Sequence, residues 1–179
     1  LRSRGLGDVY KRQELVRSDT AILFSAESEW ATRSETLPSK KLNHWHDVRD
    51  WYRAYLDAGT RADIVPLKYD WSGYATVVLP TVLMLSAADT ARLERFVRDG
   101  GTVVVGYASG LIDENFHTWL GGYPGAGDGM LRTMLGIRGE EFNILGAQAE
   151  GEPSEIRLSN GMILSLIHIS QPTRPEPIS

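Results

Sequence analysis

Apolar residues come in short, dense runs separated by stretches with a helical beat. Thr20–Ser25 (TAILFS), Ala62–Pro66 (ADIVP), Ala75–Leu79 (ATVVL) and Thr102–Tyr107 (TVVVGY) are rich in Val, Ile and Leu and bounded by polar or turn residues. Such runs are expected of strands buried on both faces. Between the first two, Trp45, Val48, Tyr52, Tyr55 and Leu56 recur at spacings of three and four with Asp47, Arg49, Asp50, Arg53 and Asp57 among them. This spacing predicts an amphipathic helix over 43–58, which Gly59 is placed to end.

A second helix is predicted up to Arg98, because Ser86 followed by Asp89 matches a capping box. Leu93, Phe96 and Val97 would face the sheet, and Gly100 and Gly101 would stop the helix before the fourth strand. Strand, helix and strand thus repeat, which implies an α/β fold: a doubly wound, mostly parallel open sheet with helices on both faces. Beyond Gly110 a glycine-rich loop around Tyr123 and Pro124 leads to a short helix near Met130–Leu135. Glu155–Leu158 and Met162–Leu164 read as a hairpin about Ser159, Asn160 and Gly161.

The ends differ in character. Residues 1–13 (LRSRGLGDVYKRQ) and 165–179 (SLIHISQPTRPEPIS) carry neither a helical stripe nor alternation joined to a turn, and both resemble translated library adapters. They are expected to be non-native tails flanking a domain at 14–150, with 151–164 either the last strands of that domain or the start of the next segment. The other reading is a natural tail in which Ile163, Leu164, Leu166, Ile167 and Ile169 form a final strand. The first residue is Leu1, so a truncated N-terminus is expected.

Composition narrows the chemistry. The net charge of -4, from 19 basic and 23 acidic residues mixed along the chain, offers no basic stripe for a phosphate backbone, so nucleic acid is not an expected partner. No apolar run approaches the roughly 20 residues that span a bilayer. No membrane contact is expected, and a cytoplasmic setting is. The chain has no cysteine, which removes disulfides, thiolate metal sites and a cysteine nucleophile. His44 and His46, two apart on a predicted helix, would point in different directions and not converge on a metal. His117, near Asp113 and Glu114, is expected on a surface loop.

Glu27 and Glu29 are the most suggestive pair, two carboxylates just past the first strand, where open parallel sheets bind ligands. In extended chain they would lie on one side roughly 7 Å apart. Nothing adjacent supplies the apolar burial that keeps one carboxyl protonated, so a solvated or interface-facing loop is the expectation for them. Trp30 beside them is read either as core or as a contact with another subunit, because aromatic residues are enriched at interface centres.

Several stretches in order carry a family resemblance: Glu27–Trp30 (ESEW), Leu37–Ser39 (LPS), the helix His46–Tyr55, Asp63–Pro66 (DIVP), Gly73–Tyr74, Leu79–Pro80, Phe96–Thr102 (FVRDGGT), Asp113–Asn115 (DEN), Gly122–Gly125 (GYPG), Leu135–Arg138 (LGIR) and Glu140–Phe142 (EEF). Together they resemble the middle, trimerisation domain of glycoside hydrolase family 42 β-galactosidases over about residues 20–145. The resemblance implies a flavodoxin-like fold, also akin to class I glutamine amidotransferases, within a homotrimeric retaining β-galactosidase. Its two catalytic glutamates would lie on a barrel outside this chain, leaving here no catalytic, cofactor or metal residue, and a possible interface at Glu27, Glu29 and Trp30. The segment Gly125–Gly129 (GAGDG) departs from the family pattern.

Two rivals share the architecture. An amidotransferase-like hydrolase would need a nucleophile on the turn after a strand; cysteine is absent, and Ser109 lies outside a glycine-x-serine-x-glycine elbow. A flavin or nucleotide module would need a phosphate loop after the first strand, where Ser25–Glu29 (SAESE) is acidic.

Overall fold

The computed structural model describes residues 18–34, 37 and 42–139, together with the backbone of 155–157 and 163–165. Four strands, β1 (Thr20–Phe24), β2 (Asp63–Pro66), β3 (Thr76–Leu79) and β4 (Thr102–Val105), form one parallel sheet in the order β2-β1-β3-β4. That is the start of the flavodoxin order, with its switch point between β1 and β3. The helices are α1 (Ala26–Ala31), α2 (His44–Asp57), α3 (Ala87–Arg98) and α4 (Met130–Leu135).

Side chains alternate across the sheet, and each set has its own cover. Ala21, Leu23, Val65, Val77 and Leu79 pack with Leu93 and Phe96 of α3 and Leu131 of α4. Ile22 and Val78 face the other way and pack with Val48 of α2, with Trp51, Tyr52 and Tyr55 beside them. Helices therefore cover both faces, as the unbroken apolar strands require. Ser86 and Asp89 form the expected capping box of α3, and Asn43 caps α2 by accepting from the His46 amide.

The buried stripe of α2 differs from the predicted one. His44 and Val48 are the buried positions, while Trp45 and Leu56 are exposed. Rotated at 100° per residue, the stripe centres on His44, Val48, Trp51 and Tyr55, leaving Trp45 and Leu56 at its rim. A count of apolar residues alone places it one position late. Val97 of α3 is likewise at a rim.

Between β2 and β3 the chain crosses β1 through residues 67–75 with no helix. Parallel crossovers ordinarily need a dozen or more residues. Leu67 and Trp71 supply the missing cover: both are buried in the same cluster as Leu93 and Phe96. Trp71 donates from Nε1 to the Leu67 carbonyl at 3.1 Å, meets Phe96 edge-on at 5.5 Å, and carries the Arg92 guanidinium 4.6 Å above its ring.

Residues 155–157 and 163–165 form β5 and β6, an antiparallel pair with Glu155 opposite Ser165 and Arg157 opposite Ile163. The expected turn at Ser159–Gly161, the EEF stretch, the tail at 1–13 and the tail at 165–179 beyond Ser165, which ends β6, lie outside the described residues.

Leu93 is fully buried, whereas Val97 is 38% exposed on the same helix. Leu93→Ala is expected to cost about 2–5 kcal/mol in urea unfolding through the cavity it leaves, and Val97→Ala under about 1 kcal/mol.

Candidate functional site

The residues after β1 form a short helix, not the loop expected for Glu27 and Glu29. Ser25 caps it, its Oγ accepting from the Ser28 amide at 3.1 Å. On a helix, residues two apart point to opposite sides, so the two carboxylates are drawn to different partners. Glu27 accepts from the Ser25 hydroxyl at 3.2 Å. Glu29 accepts from the Trp45 amide at 3.0 Å, where the unpaired N–H groups of α2 begin, and pairs with Arg33 at 3.3 Å. Neither is arranged as half of an acid and nucleophile pair. Trp30, 65% exposed, is no part of the core.

Where an open parallel sheet would bind a ligand, at the carboxyl ends of β1, β3 and β4, side chains close the backbone instead. His44 is fully buried between two of these strand ends. Its Nε2 accepts from the Ser25 amide at 2.9 Å and its Nδ1 lies 2.8 Å from the Pro80 carbonyl oxygen, which only an Nδ1–H tautomer satisfies. Burial pushes its pKa below the usual histidine value, against the raising effects of the Pro80 carbonyl and the Glu29 and Asp47 charges. The Ser28 hydroxyl oxygen accepts from the Met84 amide at 3.1 Å. His46 is exposed on α2, so the two histidines do not converge.

Asp47, in the first turn of α2, accepts from the hydroxyls of Thr81 and Tyr107. Burial raises its pKa although both hydroxyls oppose the shift. Burial, and then the Asp47 charge, push Tyr107 up to about 12. An apolar cluster of Ala31, Leu83, Met84, Ala108, Leu111 and Ile112 fills the rest of this end, with Leu37 and Leu42 against it. Two amides at the start of α1, those of Ser28 and Glu29, are bonded to the Ser25 hydroxyl and carbonyl and not held open for a phosphate.

The turn after β4 has the spacing of a nucleophile elbow, with Ala108 at its centre. Gly106, Ala108 and Gly110 stand in a glycine-x-alanine-x-glycine array that sequence reasoning, looking for a serine, passed over. Ala108 has φ +57°, in the left-handed region that alanine avoids. A Cβ on Gly106 would lie 2.8 Å from the Leu79 carbonyl oxygen, and one on Gly110 would lie 2.8 Å from Leu131, so both must be glycine. Ser109, the serine weighed as a nucleophile, is fully buried; its hydroxyl donates to the Leu79 carbonyl and accepts from the Val82 amide, each at 3.0 Å. It holds the strand ends together and has no path to a substrate.

A groove of about 450 Å³ lies at the opposite ends of the strands, beside Ala75 and Gly101, lined by Asp70, Arg92, Arg95 and Asp99. Arg92 is committed there to the Leu67 and Tyr69 carbonyls at 3.1 and 2.7 Å. Asp113 accepts from the Asn115 and His117 amides at 2.8 Å, and His117 is largely exposed, as expected of a surface loop. Among the described residues no group of three His, Asp or Glu side chains is placed to hold a metal. Ser109→Ala is expected to cost about 1–3 kcal/mol in urea unfolding, because it leaves the buried Val82 N–H unpaired.

Comparison with known proteins agrees with this picture of a scaffold. The sequence model of the β-galactosidase trimerisation domain matches residues 18–175. The β-galactosidase BbgII of Bifidobacterium bifidum is 42% identical over 148 residues, which is 83% of this chain and 21% of that protein. A solved β-galactosidase from Bifidobacterium adolescentis is 84% identical with a TM-score of 0.69, over 72% of this chain and 59% of that one. One from Bacillus circulans sp. alkalophilus is 31% identical with a TM-score of 0.70, over 83% of this chain and 23% of that one. The chain spans about a fifth of the length of the curated relatives it matches. With that match running through most of its length, the chain belongs to the β-galactosidase trimerisation-domain family.

Proposed function

We propose that this chain serves as the assembly scaffold of a longer, cytoplasmic β-galactosidase. Residues 14–150 would bring three identical subunits together and hold each catalytic barrel in place. Hydrolysis of terminal β-D-galactosides with retention would be performed by two glutamates on the barrel, about 5 Å apart, one donating a proton to the leaving oxygen and the other attacking the sugar carbon. The observation that carries this reading is the closed strand end: His44, Ser28 and Ser109, at the usual ligand position of the fold, are spent on internal hydrogen bonds. Among the described residues no helix is long and apolar enough to cross a membrane.

The contact to a neighbouring subunit or to the barrel is assigned to α1. Trp30 presents its indole outward, and Glu29, accepting from the Trp45 amide, ties α1 to the start of α2. A rigid, exposed tryptophan on a fixed helix has the character of an interface anchor.

Two outcomes are expected. The chain alone, incubated with a chromogenic β-galactoside, gives no release above buffer; turnover would overturn the scaffold reading. In the full-length enzyme Trp30→Ala weakens the trimer by about 30-fold or more in sedimentation equilibrium, as loss of a contact worth 2 kcal/mol does. An unchanged trimer with unchanged kinetics would remove Trp30 from the interface.

A further inference from the structure

We propose that His44 is an acid-sensitive latch, whose buried ring ties the start of α1 to the end of β3 only while it is neutral. The Ser25 amide donates to Nε2 at 2.9 Å, and Nδ1 faces the Pro80 carbonyl oxygen at 2.8 Å. One ring nitrogen must accept and the other donate. A proton on Nε2 turns the acceptor into a donor aimed at an N–H group, and that contact becomes repulsive.

The residue it strikes is not a neutral spectator. Ser25 caps α1 through its hydroxyl, and α1 carries Ser28, whose own hydroxyl holds the Met84 amide. Opening at Ser25 therefore loosens the cap, the helix and its second attachment to the sheet together. Release of α1 follows from the geometry whether or not Trp30 meets a partner.

The surroundings of the ring decide the direction. Among the described residues Glu29 on α1 and Asp47 on α2 are the charged groups acting on it, and both favour the imidazolium; from β1, the neutral Phe24 ring stacks on it at 5.3 Å, and from the end of β3 come the Pro80 and Thr81 backbones. Burial outweighs the carboxylates, so the folded ring holds its proton less well than a free one. The latch is thus fully engaged above the ordinary histidine value near 6.5, and it is lost as pH falls below it, because the open form binds the extra proton.

Amide hydrogen exchange on the full chain between about pH 7.5 and about pH 5, corrected for intrinsic rates, reads the latch directly. The opening constant of the Ser25, Ser28 and Glu29 amides should rise by up to tenfold per pH unit below about 6.5, until the folded ring itself titrates, while β3 and α3 keep their protection. His44→Gln, which has no titrating ring, should flatten this dependence. Ring nitrogen NMR on the unmodified chain should show His44 as the Nδ1–H tautomer titrating below 6.5. Protection of α1 independent of pH in the unmodified chain, or the same slope in the glutamine variant, would overturn the proposal. Should the variant fail to fold, the ring titration decides alone: a value at or above 6.5 rejects it.

Discussion

A parallel sheet leaves backbone N–H and C=O groups without ladder partners where its strands end, and in a buried position each must find one. In this protein the solution at the carboxyl ends of β1 and β3 determines much else. His44 joins Ser25 to Pro80, Ser109 joins Leu79 to Val82, and Ser28 holds Met84. Each of these side chains comes from a different element, so α1, α2 and the turn after β4 are all fixed to the same strand ends. An enzyme built on this fold would keep those ends free for substrate. The same polar groups cannot serve both purposes.

That division explains how the fold and function part company. The strand order and the two covered faces are those of many ligand-binding and catalytic proteins, and the turn after β4 even keeps the spacing of a nucleophile elbow. Yet the central residue of that turn is Ala108, which has no group to attack with, and the neighbouring serine is turned inward.

The sheet and its helices were legible because burial on both faces writes itself into the sequence as Val, Ile and Leu runs, and capping writes itself as Ser86 with Asp89. The family was legible from the order of short stretches such as ESEW, FVRDGGT and GYPG. Other features were not. Helix α1 is held by a cap and by tertiary bonds, too short to show a period of its own. His44 was not counted as core because a histidine is buried only when both nitrogens find partners, and these lie 19 and 36 residues away along the chain. Ser109 was weighed as a reactive group, and only the positions of Leu79 and Val82 reveal its structural role. In each case the deciding partner is distant in sequence, where periodicity and spacing carry no information.

In the passage from β2 to β3, two side chains, Leu67 and Trp71, stand in for a helix. A helix spreads contact with a sheet along several turns, so that damage at one point is shared. Here the seal over that part of the sheet depends on Leu67 and on one indole seated between Phe96 and a guanidinium. The gain is a crossover shorter than the fold usually permits; the cost is a keystone, with a single smaller stone beside it to share the weight.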